Sequence, residues 1–106
     1  MPQKIVVYWR DIPSQVLIKR GRNKGKWMLS DRFQEAIDSA AMKSGKAGTD
    51  DYVAEWRRVT TECESSDDIQ AQAQAEANQY ETDYPDARLK IIVDAGGIDN
   101  TAQEDA

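Results

Sequence analysis

Lys4-Ile5-Val6-Val7-Tyr8-Trp9, followed by Arg10-Asp11-Ile12-Pro13-Ser14 and Gln15-Val16-Leu17-Ile18-Lys19-Arg20, is the stretch that decides the fold. The first segment is β-branched and aromatic, the composition that fits a pleated, half-buried surface. Alternation puts Ile5, Val7 and Trp9 on one face and Val6 and Tyr8 on the other. Because both faces are apolar, the segment is expected in the middle of a sheet, covered by helices on at least one side. Pro13 fixes φ and removes a ladder donor, so residues 10–14 read as a turn and Gln15 to Arg20 as the returning strand of an antiparallel hairpin.

Outward from the hairpin, Gly21 to Lys26 reads as a glycine-rich basic loop leading into Trp27, Met28 and Leu29. Phe33, Ala36, Ile37, Ala40, Ala41 and Ser44 then fall at i, i+3, i+4, i+7, i+8 and i+11, the single buried stripe of an amphipathic helix. Ser30 or Asp31 can cap its start, with Gln34 at capping-box distance from Asp31, and Gly45 supplies a left-handed stop. Thr49-Asp50-Asp51 opens one further helical turn, after which Trp56 to Thr61 alternates as a third strand, which a stable sheet requires.

Glu62 to Asp68 reads as an acidic linker in which Ser65 or Ser66 caps the next helix. Asp67 to Tyr84 carries Ile69, Ala73, Ala77, Tyr80 and Tyr84 on a narrow, alanine-rich stripe. Alanines yield little free energy on burial, so this helix is expected to dock through Ile69, Tyr80 and Tyr84 and to fray elsewhere. Pro85 starts a last helix to Ala95, with Leu89, Ile92 and Val93 inward and Gly96-Gly97 as its stop. The expected architecture is a single α+β domain over residues 1–95, with a small, mostly antiparallel three-stranded sheet packed by two to three helices. A disordered acidic tail is expected over 96–106.

Composition narrows the chemistry. The 106 residues include no histidine and one cysteine, Cys63. That excludes His-based acid–base chemistry, His-dependent triads, internal disulfides and Cys/His zinc sites. Cys63 lies between Glu62 and Glu64, whose charges disfavour the thiolate. Asp50-Asp51 and Asp67-Asp68 read as helix starts, where anions meet a favourable dipole. No catalytic residue, metal site or cofactor is expected, and the chain does not read as an enzyme. A mean hydropathy of −0.76 and the lack of a long apolar run argue against a membrane span. With no secretory signal in view and Met1 read as the start, a cytoplasmic location is expected.

Charge is divided along the chain. Residues 1–46 sum to +6 and residues 47–106 to −11, giving the net −5. The cations gather in Lys19-Arg20-Gly21-Arg22-Asn23-Lys24-Gly25-Lys26, beside Trp27. This segment either pairs with the acidic half of its own fold or forms a surface for an anionic partner. The Walker pattern is not met, because Trp27 follows Gly25-Lys26 and position 20 is not glycine. Lys19, Arg20, Arg22, Lys24, Lys26 and Trp27 are therefore the candidate binding residues, with Arg10 and Asp11 a possible second site at the first turn. Asp11 can also serve as an Asx turn, with Arg10 paired to it or to Asp38. Trp9, Tyr52 and Trp56 suit one aromatic cluster with Arg57 or Arg58 stacked on it.

Three segments in order carry a resemblance: Val7-Tyr8-Trp9-Arg10-Asp11-Ile12-Pro13 with Gln15-Val16, Arg32-Phe33-Gln34 with Ala36-Ile37-Asp38 and Ala41-Met42, and Tyr52 with Ala54-Glu55-Trp56-Arg57-Arg58. Together they resemble the small bacterial virulence factor domain family, related to a conserved virulence factor of Gram-positive bacteria, over residues 4 to 93. The resemblance carries over no catalytic residue. The residues themselves read as an adaptor or accessory protein that binds a protein partner through the basic loop. Two alternatives stand beside that reading: an RNA- or phosphate-ligand-binding module using the same loop, and, as the resemblance implies, an accessory role in folate- and corrinoid-linked methyl transfer.

Overall fold

The computed structural model describes residues 2–99. In chain order the elements are β1 (Gln3–Trp9), β2 (Ile12–Arg20), β3 (Asn23–Met28), α1 (Asp31–Lys43), α2 (Asp50–Ala54), β4 (Trp56–Glu62), α3 (Ile69–Asp83) and α4 (Asp86–Asp94). The sheet is antiparallel in the order β3-β2-β1-β4, so β1 is interior as its two apolar faces require.

The sheet has four strands rather than three, because the expected basic loop is itself a strand. Arg20 pairs with Asn23 and Gln15 with Met28, leaving Gly21-Arg22 as a two-residue turn with Gly21 at φ 60°. Glycine at the first central position is what such a tight, right-twisted hairpin asks for. Between β1 and β2 the turn is also shorter than expected. Arg10-Asp11 alone makes it, and Pro13 lies inside β2, opposite Tyr8, where a register shift absorbs its missing donor.

Helices cover one face of the sheet. Val6, Val16, Ile18 and Gly25 point into it, and α3 lies across β2 and β3 there, while α1 packs between β2 and α4. The α1 stripe of Phe33, Ala36, Ile37, Ala40 and Ala41 is buried, and Gly45 takes its left-handed stop at φ 73°. In α3 the alanines are the point of closest packing: Ala73 and Ala77 are 0% and 1% exposed, whereas Ile69 and Tyr80 are only partly buried. Small side chains contribute little free energy each, but they let the helix approach the strands, and at Gly25 the two backbones meet. The α3 start is capped by Asp68, whose Oδ1 accepts from Ala71 N at 3.0 Å, not by Ser65 or Ser66. Pro85 is the N-cap residue of α4, which buries Leu89, Ile92 and Val93.

Ser30 is the α1 N-cap residue, but its side chain is turned to another task. Its N–H and hydroxyl donate to the two carboxylate oxygens of Glu81 in α3, at 2.7 and 2.8 Å, and Arg32 adds an ion pair to Glu81 at 3.1 Å. Gln34 bonds Asp38 at 3.1 Å instead of closing a capping box. Partial burial opposes the charge of Glu81, yet the Ser30 donors and the Arg32 guanidinium outweigh it and hold the carboxyl below the usual glutamate range. A depressed carboxyl stabilises the fold above its unfolded pKa, and that stabilisation is lost as pH falls through the lowered value. Glu81→Gln is therefore expected to cost about 1–2 kcal/mol at neutral pH, discounted for exposure. The difference between the two proteins should close on acidification, as read by denaturant unfolding across pH.

Gly96 and Gly97 end α4 at φ 74° and 100°. Residues 96–99 of the expected tail then lie back on the first turn, where Asp11 N donates to Gly97 O at 2.9 Å and Asp99 N donates to Asp11 Oδ2 at 2.7 Å. The remainder of that tail, residues 100–106, lies outside the described residues.

Candidate functional site

Strand pleating distributes the expected binding residues over two faces. By register, Gln3, Ile5 and Val7 of β1 share the uncovered face with Gln15, Leu17 and Lys19 of β2, Lys24, Lys26 and Met28 of β3, and Arg58, Thr60 and Glu62 of β4. None of these residues is buried, but Trp9, which continues the same side of β1 at the first turn, is fully buried, so the face is open from Val7 towards Gln3 and closed at the turn. Lys19, Lys24 and Lys26 therefore act from one surface. Arg20 and Trp27 point to the helix-covered side, where the Arg20 guanidinium donates to the Ser66 carbonyl, and Arg22 sits in the turn.

Among the described residues, the acidic half of the chain does not neutralise this cluster. Among the described residues, Lys19, Arg20, Arg22, Lys24, Lys26 and Arg58 make no ion pair, while all other lysines and arginines lie within 3.9 Å of a carboxylate. Lys19 and Lys24 stand directly opposite each other on the uncovered face. Like charges in that relation destabilise a sheet. Leu17 faces Ile5 on one side and Lys26 on the other, so an aliphatic centre is bordered by cations.

Towards the first turn, the same face sinks into a hollow of about 610 Å³ lined by Val7, Ser14, Gln15, Trp56, Arg57 and Arg58. Gln15 Oε1 is shielded from solvent there and accepts no hydrogen bond. Val7 and Gln15 were not singled out from sequence as site residues, and Arg58 was considered only as a stacking partner of the aromatic cluster. The signal that could have found them is the second face of the alternation in β1 and β2, which stays half-exposed instead of being covered.

Arg10 and Asp11 are occupied with holding the fold. Arg10 has φ 53°, a left-handed conformation unfavourable for a residue with a side chain. Its guanidinium donates to Gly96 O at 2.9 Å, pairs with Glu55 at 3.2 Å rather than with Asp11 or Asp38, and lies 5.4 Å from the centre of the Trp9 ring. Asp11 is not an Asx turn: it binds Arg57 at 3.1 Å and the backbone N–H of Asp99. Arg57 accordingly stacks on Tyr8, at 4.7 Å, and not on the aromatic cluster. That cluster forms as expected in its rings, with Trp9 and Tyr52 centred 5.6 Å apart, Tyr52 and Trp56 6.1 Å apart, and Trp9 Nε1 donating to Tyr52 O at 2.8 Å.

Beside the turn, a cleft of about 300 Å³ is lined by Tyr8, Asp11, Arg57, Val59, Tyr84, Arg88 and Asp99. Its charges are matched within the chain, Arg57 with Asp11 and Arg88 with Asp99 at 2.7 Å. Burial pushes the Tyr84 phenol up to about 12 and raises Tyr8 as well, so both stay neutral at physiological pH. Cys63 accepts a long contact from Gln72 at 3.7 Å. Among the described residues no group of three or more Cys, Asp or Glu is placed to hold a metal ion, and no helix is long and apolar enough to cross a membrane.

A family model described as "Virulence factor" matches residues 7–93, from the end of β1 through all but the last residue of α4. No curated protein and no solved structure is similar to the chain.

Proposed function

The chain belongs to the virulence factor family, and from that premise we propose that this member is a non-enzymatic adaptor whose uncovered sheet face docks an acidic segment of a protein partner. One observation carries the reading: Lys19 and Lys24 face each other, next to Lys26, and among the described residues no carboxylate pairs with them. Stability alone does not favour such an arrangement, whereas an incoming carboxylate relieves it. Ile5, Leu17, Val7 and the hollow beside Trp56 offer apolar area for the same segment to bury. A protein partner is favoured over RNA because the centre of the face is aliphatic. Sheet platforms for single-stranded RNA stack bases on aromatic rings; here Trp27 is on the other side, and Trp56, beside the hollow, lies at the opposite end of the sheet from the lysines.

The test separates binding from folding. Lys19→Gln/Lys24→Gln/Lys26→Gln removes a repulsion, so thermal stability is expected to stay equal or rise by a few tenths of a kcal/mol. Affinity for a fluorescent peptide of alternating Glu and Leu should fall about tenfold or more, with the wild-type affinity weakening as salt is raised. Equal affinity of the two proteins for that peptide contradicts the reading. A nuclease-sensitive partner captured in place of a protein would replace it with the RNA alternative.

A further inference from the structure

The two edges of the sheet differ. β3 carries Lys24 and Lys26 together with Gly25, features that discourage another strand from pairing. β4 has none of them. It reads Trp56-Arg57-Arg58-Val59-Thr60-Thr61-Glu62, contains no proline, glycine or lysine, and pairs with β1 in unbroken register from Gln3 opposite Glu62 to Trp9 opposite Trp56. Its six residues after Trp56 are all exposed. An edge strand of unbroken register, exposed in this way and β-branched at Val59-Thr60-Thr61, is a template for strand addition.

We infer that β4 pairs antiparallel with β4 of a second copy, joining two sheets of four strands across a two-fold axis at Thr60. The charge pattern of the strand selects this occupant. Arg58 and Glu62 lie on the same face, and neither makes an ion pair among the described residues. With Thr60 opposite itself, each Arg58 stands opposite the other copy's Glu62, and each Val59 opposite a Thr61. Both ion pairs and the β-branched contacts then form from one strand sequence, as an isologous interface demands. Moving the axis to Val59 would put Arg58 against Thr60 and Glu62 against Trp56, losing both pairs. An axis perpendicular to the sheet leaves the two basic faces on the same side, so the dimer would present one continuous surface.

Sedimentation equilibrium over a concentration series, with no partner present, tests the inference. The wild type is expected to show a reversible monomer–dimer equilibrium. Arg58→Glu and Glu62→Arg, each alone, oppose like charges twice and should weaken dimerisation about tenfold or more, while the double substitution restores it. Circular dichroism of each variant confirms that the fold is kept. A wild type that stays monomeric at every concentration overturns the inference, as does a dimer that both single substitutions leave unchanged or that the double substitution fails to restore. Because the peptide assay above reads the lysines and this one reads β4 without a ligand, either can fail without the other.

Discussion

Phe33→Ala is expected to lower the stability of the fold by about 3–5 kcal/mol, the usual cost of deleting a buried aromatic ring. Phe33 is 1% exposed, and its ring meets Tyr84 edge-on at 6.0 Å. The Arg32 guanidinium covers it at 4.5 Å while binding Glu81 and Asp86. Thus one ring joins α1 to the end of α3 and the start of α4, and its removal leaves a space that three elements cannot close together. Equilibrium denaturation measures the loss. A change within about 0.5 kcal/mol, the range of an ordinary surface substitution, would mean that this face of α1 is not in the core.

Gly25→Ala is the second large effect, and its cause is different. A Cβ at Gly25 would stand 2.5 Å from the Ile69 carbonyl oxygen and 2.9 Å from Gln70 N, both backbone atoms at the start of α3. No side chain can turn aside to relieve that contact. Lys26 and Gln70 fix the same junction through two hydrogen bonds, at 3.0 and 2.7 Å. The added methyl must therefore lift the helix start and loosen Ala73 and Ala77 from the sheet, a loss of about 3 kcal/mol, at the upper end for an overpacked site. Denaturant unfolding should show it together with faster proteolysis between β4 and α3. Unchanged stability and protease resistance would place α3 farther from β3 than described.

These two residues also mark how far the sequence could be read. Phe33 belongs to a stripe whose period, cap and stop all lie within one segment, and α1 forms where that stripe predicts. β1 and α4 were legible for the same local reason, whereas the step from α2 into β4 followed only from the third strand that a stable sheet requires. β3 was not, because its pattern is dictated by what lies on each side: lysines where the face is open, glycine where α3 presses down. Read alone, Asn23-Lys24-Gly25-Lys26 has no apolar alternation and resembles a loop. The readable clue was Gly21-Arg22, a glycine-first pair of the kind that closes a two-residue hairpin. Likewise the alanines of α3 looked too small to dock a helix, although close approach to a strand is what small residues permit.

The candidate site was legible only in part. Lys19, Lys24 and Lys26 stood out by charge, and the strand that carries them sets them on one surface with Leu17 and Ile5. The same alternation removes Arg20 and Trp27 from it. Arg10 and Asp11, conspicuous after β1, turn out to fasten Gly96–Asp99 to the first turn through contacts more than eighty residues apart in sequence. No local pattern announces such a partner.

A partner of this protein is expected to cover the uncovered face of the sheet. Backbone amide shifts of the isotope-labelled protein, followed while the acidic Glu/Leu peptide is added, test it directly. Saturable shifts are expected at Ile5, Val7, Leu17, Lys19, Lys24 and Lys26, with the outer surfaces of α1 and α4 unmoved. Shifts confined to the helices, with the amides of β1, β2 and β3 unchanged, would contradict it.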